Sequence, residues 1–563
     1  MNTTTTRKAM LPALVFAALA TAIVSSLGML LVPSIASQFN VDVATAQWML
    51  TVNLLAGAIA TPILGRLSDG PHKKRLLLIS LIIMFAGSVL AAAAPNFPLF
   101  LTGRALQGLS YGIVPITIAI ARRYVEQAKV QPAISTLSVT VSSGIGIGYP
   151  LTGIIAGLFD YSFAFWFGAA FVLATIIVVW KVLPAGPDTQ AESHPFDYFG
   201  TLLLTVGLGS LLLAISQGPK WGWGSLPILV LLIVAAVILT VWVLVENKLA
   251  HPLINLRTLK QGDVLLANIS AIALGAALYI GMSVSSLVAQ AGESTGYGLS
   301  LPVFWAGFVI FPLSVGSFTA NRMVRILAKK VGIQIMLPIG AILMSLAGTL
   351  LWLLHSQLWE ILLSMLVFGL GMGASYAAMP ALIARSVAVQ ELGSSVSFNQ
   401  VLRTVGSSFG TAISAAIIAT HAGSSGEATS TGINMTFMLG AILCIALGAA
   451  LLINSAVRAC APPTQHHCAS TDTEFSTHEG REDPLDLPSL HTQYQFWLEL
   501  DDFKLHQIRA MSDRLLAFAS RVGSARTLVS PIFKIRTCSP LGVHKVALFA
   551  CNRAQQLETF KTW

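Results

Sequence analysis

Charge is scarce in this chain: only 10% of its 563 residues are Asp, Glu, Lys or Arg, while 55% are hydrophobic. So little polar surface cannot solvate a soluble body of this size, which excludes an ordinary water-soluble enzyme or binding domain. Cysteine is scarce too, and the five present fall on or near the side that the charge pattern marks as reducing, so structural disulfides are not expected. Cys460, His466, His467 and Cys468 have metal-capable side chains, but their spacing fits no common zinc pattern. Also missing are a Gly-rich loop ending in Lys-Ser/Thr, an embedded His/Glu metal constellation and a Ser nucleophile elbow. No enzymatic activity, metal or organic cofactor is therefore expected, and uphill work would have to draw on a gradient.

What the chain has is a beat. Apolar runs of membrane-spanning length recur about fourteen times between Met10 and Val457, separated by short polar joints. Because no water reaches the hydrocarbon core to satisfy backbone groups, each run must be a helix, and the expected fold is an all-α polytopic membrane protein. The first run is too long for a signal peptide and lacks a small-residue cleavage site, so it reads as a helix near Leu11–Val32. The tenth is expected near Pro302–Ala320, the twelfth near Ile361–Ile383 and the thirteenth near Asn399–Thr420.

The net charge of +9 lies ahead of Pro462, because the tail beyond it is balanced, so the excess belongs to the membrane joints rather than to a nucleic-acid surface. It alternates. Arg7 and Lys8 precede the first helix, and every second joint is basic: Arg66 with Lys73, Lys74 and Arg75; Arg122, Arg123 and Lys129; Lys181; Lys248, Arg257 and Lys260; Arg322, Arg325, Lys329 and Lys330; Arg385 and Arg403; Arg458. The intervening joints carry only Lys220. Since cytoplasmic flanks retain Lys and Arg, both termini are expected in the cytoplasm. Trp221 and Trp223 mark a membrane interface, where indole rings prefer to sit.

Several segments resemble one family in order. Gly65-Arg66-Leu67-Ser68-Asp69 with Lys73-Lys74-Arg75 resembles the loop signature of the major facilitator superfamily. Arg104-x-x-Gln107-Gly108-x-x-x-Gly112 is similar to its fourth-helix segment, and Gly144-Ile-Gly146-Ile-Gly148-Tyr149-Pro150-Leu-Thr-Gly153 to its Gly/Pro-rich antiporter signature. Phe196-Asp197-x-x-Gly200, Trp221-Gly222-Trp223 and Asn399-x-x-x-Arg403-x-x-Gly406, the last placed at the start of the thirteenth helix, are similar to the fourteen-helix drug:proton antiporter branch. The resemblance implies a six-helix bundle over 1–183, an inserted helix pair with its linkers over 184–262, a second six-helix bundle over 263–458, and alternating access to a midplane cavity. It leaves 459–563 as a cytoplasmic tail, expected to be largely disordered. It also implies that Asp69 caps the positive N-terminus of the thirteenth helix across the bundle boundary, as part of a latch with Gly65, Lys73, Lys74 and Arg75. The sequence departs from the pattern at Gly70, His72 and Tyr149, and Leu11–Val32 contains no carboxylate, which leaves proton coupling without its usual residue.

The residues also have readings of their own. Gly144, Gly148 and Gly153, with Pro150 among them, thin and bend the fifth helix, either for tight packing or for a bend used in rocking. Arg104 lies more than a turn inside the fourth helix, where a guanidinium costs about 2.5–3.5 kcal/mol unless it snorkels or faces a cavity or partner. With Gln107 and Tyr111 it forms a candidate coupling and cavity cluster. Met365, Phe368, Met372, Tyr376 and Met379 fall on one face of the twelfth helix, either as packing surface or as the adaptable wall of a substrate cavity. In the tail, Ala461–Pro488 reads as a flexible linker and Tyr494–Val522 carries an apolar helical stripe suited to a membrane surface.

The expected function is secondary-active efflux of amphipathic small molecules by proton antiport, with the chain multi-pass in a bacterial-type inner membrane and protons and lipid as its other partners. The alternatives are a facilitator or importer of a specific metabolite, and a non-transporting membrane receptor or scaffold signalling through the tail.

Overall fold

The computed structural model describes residues 3–184, 196–249, 252–421 and 428–460, together with 537–538 and 545–546 in the tail. Fourteen helical segments are long and apolar enough to cross a membrane. In chain order the first seven are α1 (Ala9–Ser26), α2 (Trp48–Asp69), α3 (Lys73–Ala92), α4 (Phe97–Tyr124), α5 (Lys129–Ile155), α6 (Tyr161–Val182) and α7 (Tyr198–Trp221). The others are α8 (Leu226–Glu246), α9 (Gly262–Gln290), α10 (Phe304–Ala328), α11 (Ile333–Leu353), α12 (Leu358–Ser386), α13 (Val389–Thr420) and α14 (Ser430–Ser455).

The helices sort themselves by packing. α1 lies against α5 and α6, α3 between α4 and α6, and α2 against α4; in the second half, α9 packs on α13 and α14, and α12 on α10 and α11. The two halves meet along α2 with α13, and along α5 with α10 and α12. The inserted helices pack mainly on each other, with α7 also touching α2 and α13. α8 is almost wholly apolar yet largely uncovered by protein. An apolar helix left uncovered by protein is one whose solvent is lipid.

Small residues set the close approaches, since lipid is as apolar as leucine and supplies no hydrophobic drive between helices. A Cβ at Gly103 would come within 2.7–2.8 Å of the α3 backbone at Ala91 and Gly87. Serine and threonine hydroxyls largely return to their own helix, as Thr61 does to the Gly57 carbonyl (2.6 Å) one residue ahead of Pro62 and Thr152 to Gly148 (2.7 Å) beside Pro150. Prolines inside α2, α5, α7 and α12 are accommodated in continuous helix.

The structure moves some expected boundaries. The helix containing α1 ends at Ser26, and a 3-10 turn at Met29–Leu31 follows a Gly28 with φ of 113°, a left-handed conformation only glycine takes easily. The second part of α10 runs on to Val331, so Arg322 and Arg325 lie on helix rather than in a joint. The main helix of α13 starts at Leu392, two turns ahead of the expected Asn399. Asn399 and Arg403 are therefore interior residues, not the start of that helix, and Arg403 does not belong to a basic joint. The misleading signal was the polar stretch Gly393–Ser397, which continues the helix instead of interrupting it.

In the tail unit, Gln465–Trp563, the described residues form one antiparallel pair, β1 (Thr537–Cys538) and β2 (Lys545–Val546), with Thr537 opposite Val546. The expected linker at Ala461–Pro488, the stripe at Tyr494–Val522 and the His466–Cys468 cluster lie outside the described residues.

Candidate functional site

A cavity opens between the two halves, enclosing about 730 Å³ of space between atoms, part of it open to solvent. Its walls come from α1 (Thr21, Ser25, Ser26), α2 (Leu54), α4 (Tyr111, Val114), α5 (Val141, Ile145, Tyr149), α9 (Leu278, Tyr279, Met282), α12 (Tyr376) and α13 (Gln400, Arg403, Thr404, Ser407). None of the lining residues is acidic, and Arg403 is the one charged group among them. The Arg403 guanidinium sits 4.2 Å from the centre of the Tyr376 ring and hydrogen-bonds to that side chain. Among the described residues it pairs with no carboxylate. The Tyr111 phenol hydrogen-bonds with Ser25 and Asn53, within the first half.

The reach of Arg403 is fixed by the two ends of its own motif. Asn399 donates to the Ala267 carbonyl and to Asn268 Oδ1, both at 3.0 Å, and a Cβ at Gly406 would collide with the Ile272 carbonyl, so α13 is fastened to α9 a turn on either side of Arg403.

On the face that bears the basic joints, α2 and α13 seal the halves. Asp69 accepts from the backbone N–H groups of Gly393 (2.7 Å) and Ser394 (3.0 Å), the unpaired donors at the start of the main α13 helix. Gly65 and Gly393 face each other there: a Cβ at Gly65 would stand 2.8 Å from the Gly393 carbonyl, and one at Gly393 would stand 2.6 Å from the Gly65 carbonyl and 2.7 Å from Asp69 Oδ1. Arg122 at the end of α4 donates to the Val387 carbonyl (3.0 Å), adding a second tie on this face. The cations expected to share the latch do other work. Lys73 donates to the Gly70 carbonyl (2.8 Å), Lys74 to the Trp180 and Leu183 carbonyls (2.9 and 2.5 Å) at the end of α6, and Arg75 is exposed.

Along α5 the glycines divide by neighbour. Gly144 and Gly148 back onto α1, at Ala22 and Ser26, within the first half. Gly146 faces Ser314 of α10, Ser314 donates to the Ser143 carbonyl (2.6 Å), and the Ser142 and Ser317 hydroxyls meet. Further along, a Cβ at Gly307 of α10 would come within 2.9 Å of the Tyr149 carbonyl and 3.4 Å of the Gly153 Cα. Pro150 sits inside this continuous helix, where its missing N–H frees the Gly146 carbonyl.

Two expectations about the cavity are corrected. Arg104 neither snorkels nor lines it: the fully buried side chain donates to Gln107 Oε1 (2.6 Å) and the Met49 carbonyl (3.4 Å), lies 5.6 Å from the Phe165 ring centre, and Gln107 donates on to Ser88 (2.9 Å). Of that cluster only Tyr111 reaches the cavity. Arg403, within α13, is a second intramembrane cation. Of the α12 stripe, Met365, Phe368 and Met372 are buried and absent from the cavity wall, while Tyr376 is part of it. Stripe periodicity shows which residues share a face but not which neighbour covers that face.

Fourteen membrane-length helices in two packed groups, closing on a cavity that both groups line, define a polytopic membrane protein. The sequence model of the Major Facilitator Superfamily matches residues 14–411 and, in a second match, 323–498, and the chain belongs to this family of transporters. It is similar to the uncharacterized MFS-type transporter YcnB of Bacillus subtilis (strain 168), 25% identical over 424 residues, covering 73% of this chain and 88% of that protein. An uncharacterized MFS-type transporter of Mycobacterium tuberculosis (strain ATCC 25618 / H37Rv) is 26% identical over 415 residues, 72% of this chain, which spans 58% of that protein's length. The quinolone resistance protein NorB of Staphylococcus aureus (strain MRSA252) is 25% identical over 406 residues, 69% of this chain and 83% of that protein. The crystal structure of the human organic anion transporter MFSD10 superposes with a TM-score of 0.58 at 13% identity, over 79% of this chain and 99% of that one, a likeness of fold.

Proposed function

We propose that this chain is a secondary-active transporter that moves amphipathic small molecules out of the cytoplasm by alternating access, in exchange for protons. The observation that carries the reading is the central cavity, walled by helices of both halves and bounded by glycine-and-serine crossings where those halves touch. Such contacts have few interlocking side chains to break, so one can part while the other holds. The basic joints support a cytoplasmic Asp69 face and cytoplasmic termini, and the reading places the chain in a bacterial-type inner membrane. Similarity to proteins named for quinolone and multidrug resistance supports an efflux role.

No carboxylate lines the cavity, so an exchanged proton is carried by a group outside it. Asp69 is a carboxylate whose surroundings must change when the basic-face seal opens, from two backbone donors to water. The test is purified protein in liposomes with an imposed pH gradient and an amphipathic fluorescent probe. Accumulation against the probe's own gradient, lost when an ionophore collapses the pH difference, supports antiport. Equilibration without accumulation indicates a facilitator, and no movement at all a receptor or scaffold.

A further inference from the structure

We infer that the cavity takes an amphipathic organic anion, with Arg403 and the Tyr279 phenol holding a carboxylate and the apolar walls holding its hydrocarbon body. The inference rests on the transporter reading and specifies its substrate class.

Charge balance is the first argument. An intramembrane guanidinium is retained against its desolvation cost only where it meets a partner or a water-filled space. Arg403 has the Tyr376 ring and hydroxyl, but among the described residues no carboxylate neutralises it. The missing counter-charge has to come from solvent or from the occupant. An anion would make the filled cavity neutral, and a neutral centre is easier to close off from water than a bare cation.

Donor accounting is the second. The hydroxyls of Thr21, Ser25, Ser26, Thr404 and Ser407 donate to backbone carbonyls of their own helices. The groups left to donate into the space are the Arg403 guanidinium, the Gln400 carboxamide and the Tyr279 phenol, the last of which makes no hydrogen bond among the described residues. Guanidinium plus phenol is a donor set suited to a planar carboxylate, because the guanidinium fork matches its two oxygens. A cationic occupant would find no carboxylate here. Leu54, Val114, Val141, Ile145, Leu278 and Met282 supply the apolar wall, so the anion must carry a hydrophobic body.

The test uses three fluorescent probes with one body: 1-naphthoate, the neutral 1-naphthamide and the cationic 1-naphthylmethylammonium, bound to the full-length protein in detergent and then offered to it in liposomes. Wild type should bind naphthoate about tenfold or more tightly than either of the others, the discrimination one charge-assisted pair supplies. Arg403→Gln should abolish that preference by weakening naphthoate binding far more than naphthamide binding, and Arg403→Lys should keep part of it. A folded Arg403→Gln that weakens all three probes equally would make Arg403 a packing residue. Equal affinities in wild type, or tighter binding of the ammonium, would overturn the anion site; if Arg403→Gln fails to fold, the wild-type ranking and the Lys variant still decide. Transport separates the two readings: a transported ammonium with no naphthoate preference leaves the transporter and removes the anion, whereas selective naphthoate binding without movement of any probe does the reverse.

Discussion

Asp69 and Gly393 meet through a charge and an absence. The carboxylate satisfies two of the donors that every helix start leaves unpaired, and the missing side chain at Gly393 lets it come within 2.7 Å. Asp69→Asn keeps one acceptor but removes the charge, weakening closure by up to about 2 kcal/mol. Expression should be normal and gradient-driven transport lower, with faster labelling of a cysteine placed at Ser397; unchanged rates on both counts would reduce Asp69 to a topology charge. Arg104 calls for a different measurement, because it lies outside the cavity wall. Its fork serves Gln107 and the Met49 carbonyl at once, a geometry an ammonium cannot reproduce. Arg104→Lys should therefore lower thermal stability, by about 1–3 kcal/mol for the polar groups left unpaired, while the affinity of the folded fraction for cavity probes stays unchanged. A selective loss of affinity with no loss of stability would return Arg104 to the site.

At the scale of elements, the α5–α10 and α2–α13 crossings are the parts that the proposed alternating access would separate. The Ser142 and Ser317 hydroxyls already touch, so cysteines at both positions should form a disulfide on mild oxidation, and transport should stop until a reductant is added. Oxidised protein with full activity would mean that α5 and α10 never separate there. These crossings were half legible in the sequence. The antiporter-like run of α5 announced thin helix surface, yet nothing in a glycine's neighbours along the chain says whether it backs onto its own half, as Gly144 and Gly148 do, or onto the other, as Gly146 does. Helix number followed from hydropathy, whereas the ends of α1 and α10 did not, nor did the start of α13, because serine-rich helix and serine-rich joint look alike without the Asp69 contact. Between α11 and α12, His355 is buried beside the Phe437 ring (5.4 Å), and burial holds its pKa below the ordinary value. A depressed histidine binds its proton more weakly when folded than unfolded, so stability from this joint is full above the unfolded pKa of about 6.5 and falls as pH drops below it. His355→Gln should remove that part of the acid sensitivity of the melting temperature.

For the whole molecule, the +9 charge is a statement about orientation. The fourteen spans leave alternate joints on opposite faces, and the basic residues fall almost entirely on one of them. That asymmetry was visible in the sequence, while the cavity's composition was not, because its walls come from seven helices scattered along the chain and the polar residues around Arg403 read as a joint. Its correction takes one cation out of the basic joints and leaves the alternation intact, since Lys73, Arg122, Lys181, Arg257 and Arg385 still share a face and Lys220 stands opposite. Lys220 is also the sharpest place to probe orientation. It precedes Trp221, the last residue of α7, and lies close enough to feel Asp42 of the α1–α2 joint, so two joints separated by six helices belong to the same face. Reporter fusions or impermeant labelling at Lys220 and Asp42 should therefore read outside, and at Lys73 and Arg385 inside. If Lys220 reads inside while Lys73 also does, the α7–α8 pair is not inserted as two full spans, and the two halves would have to face each other with a different number of crossings between them.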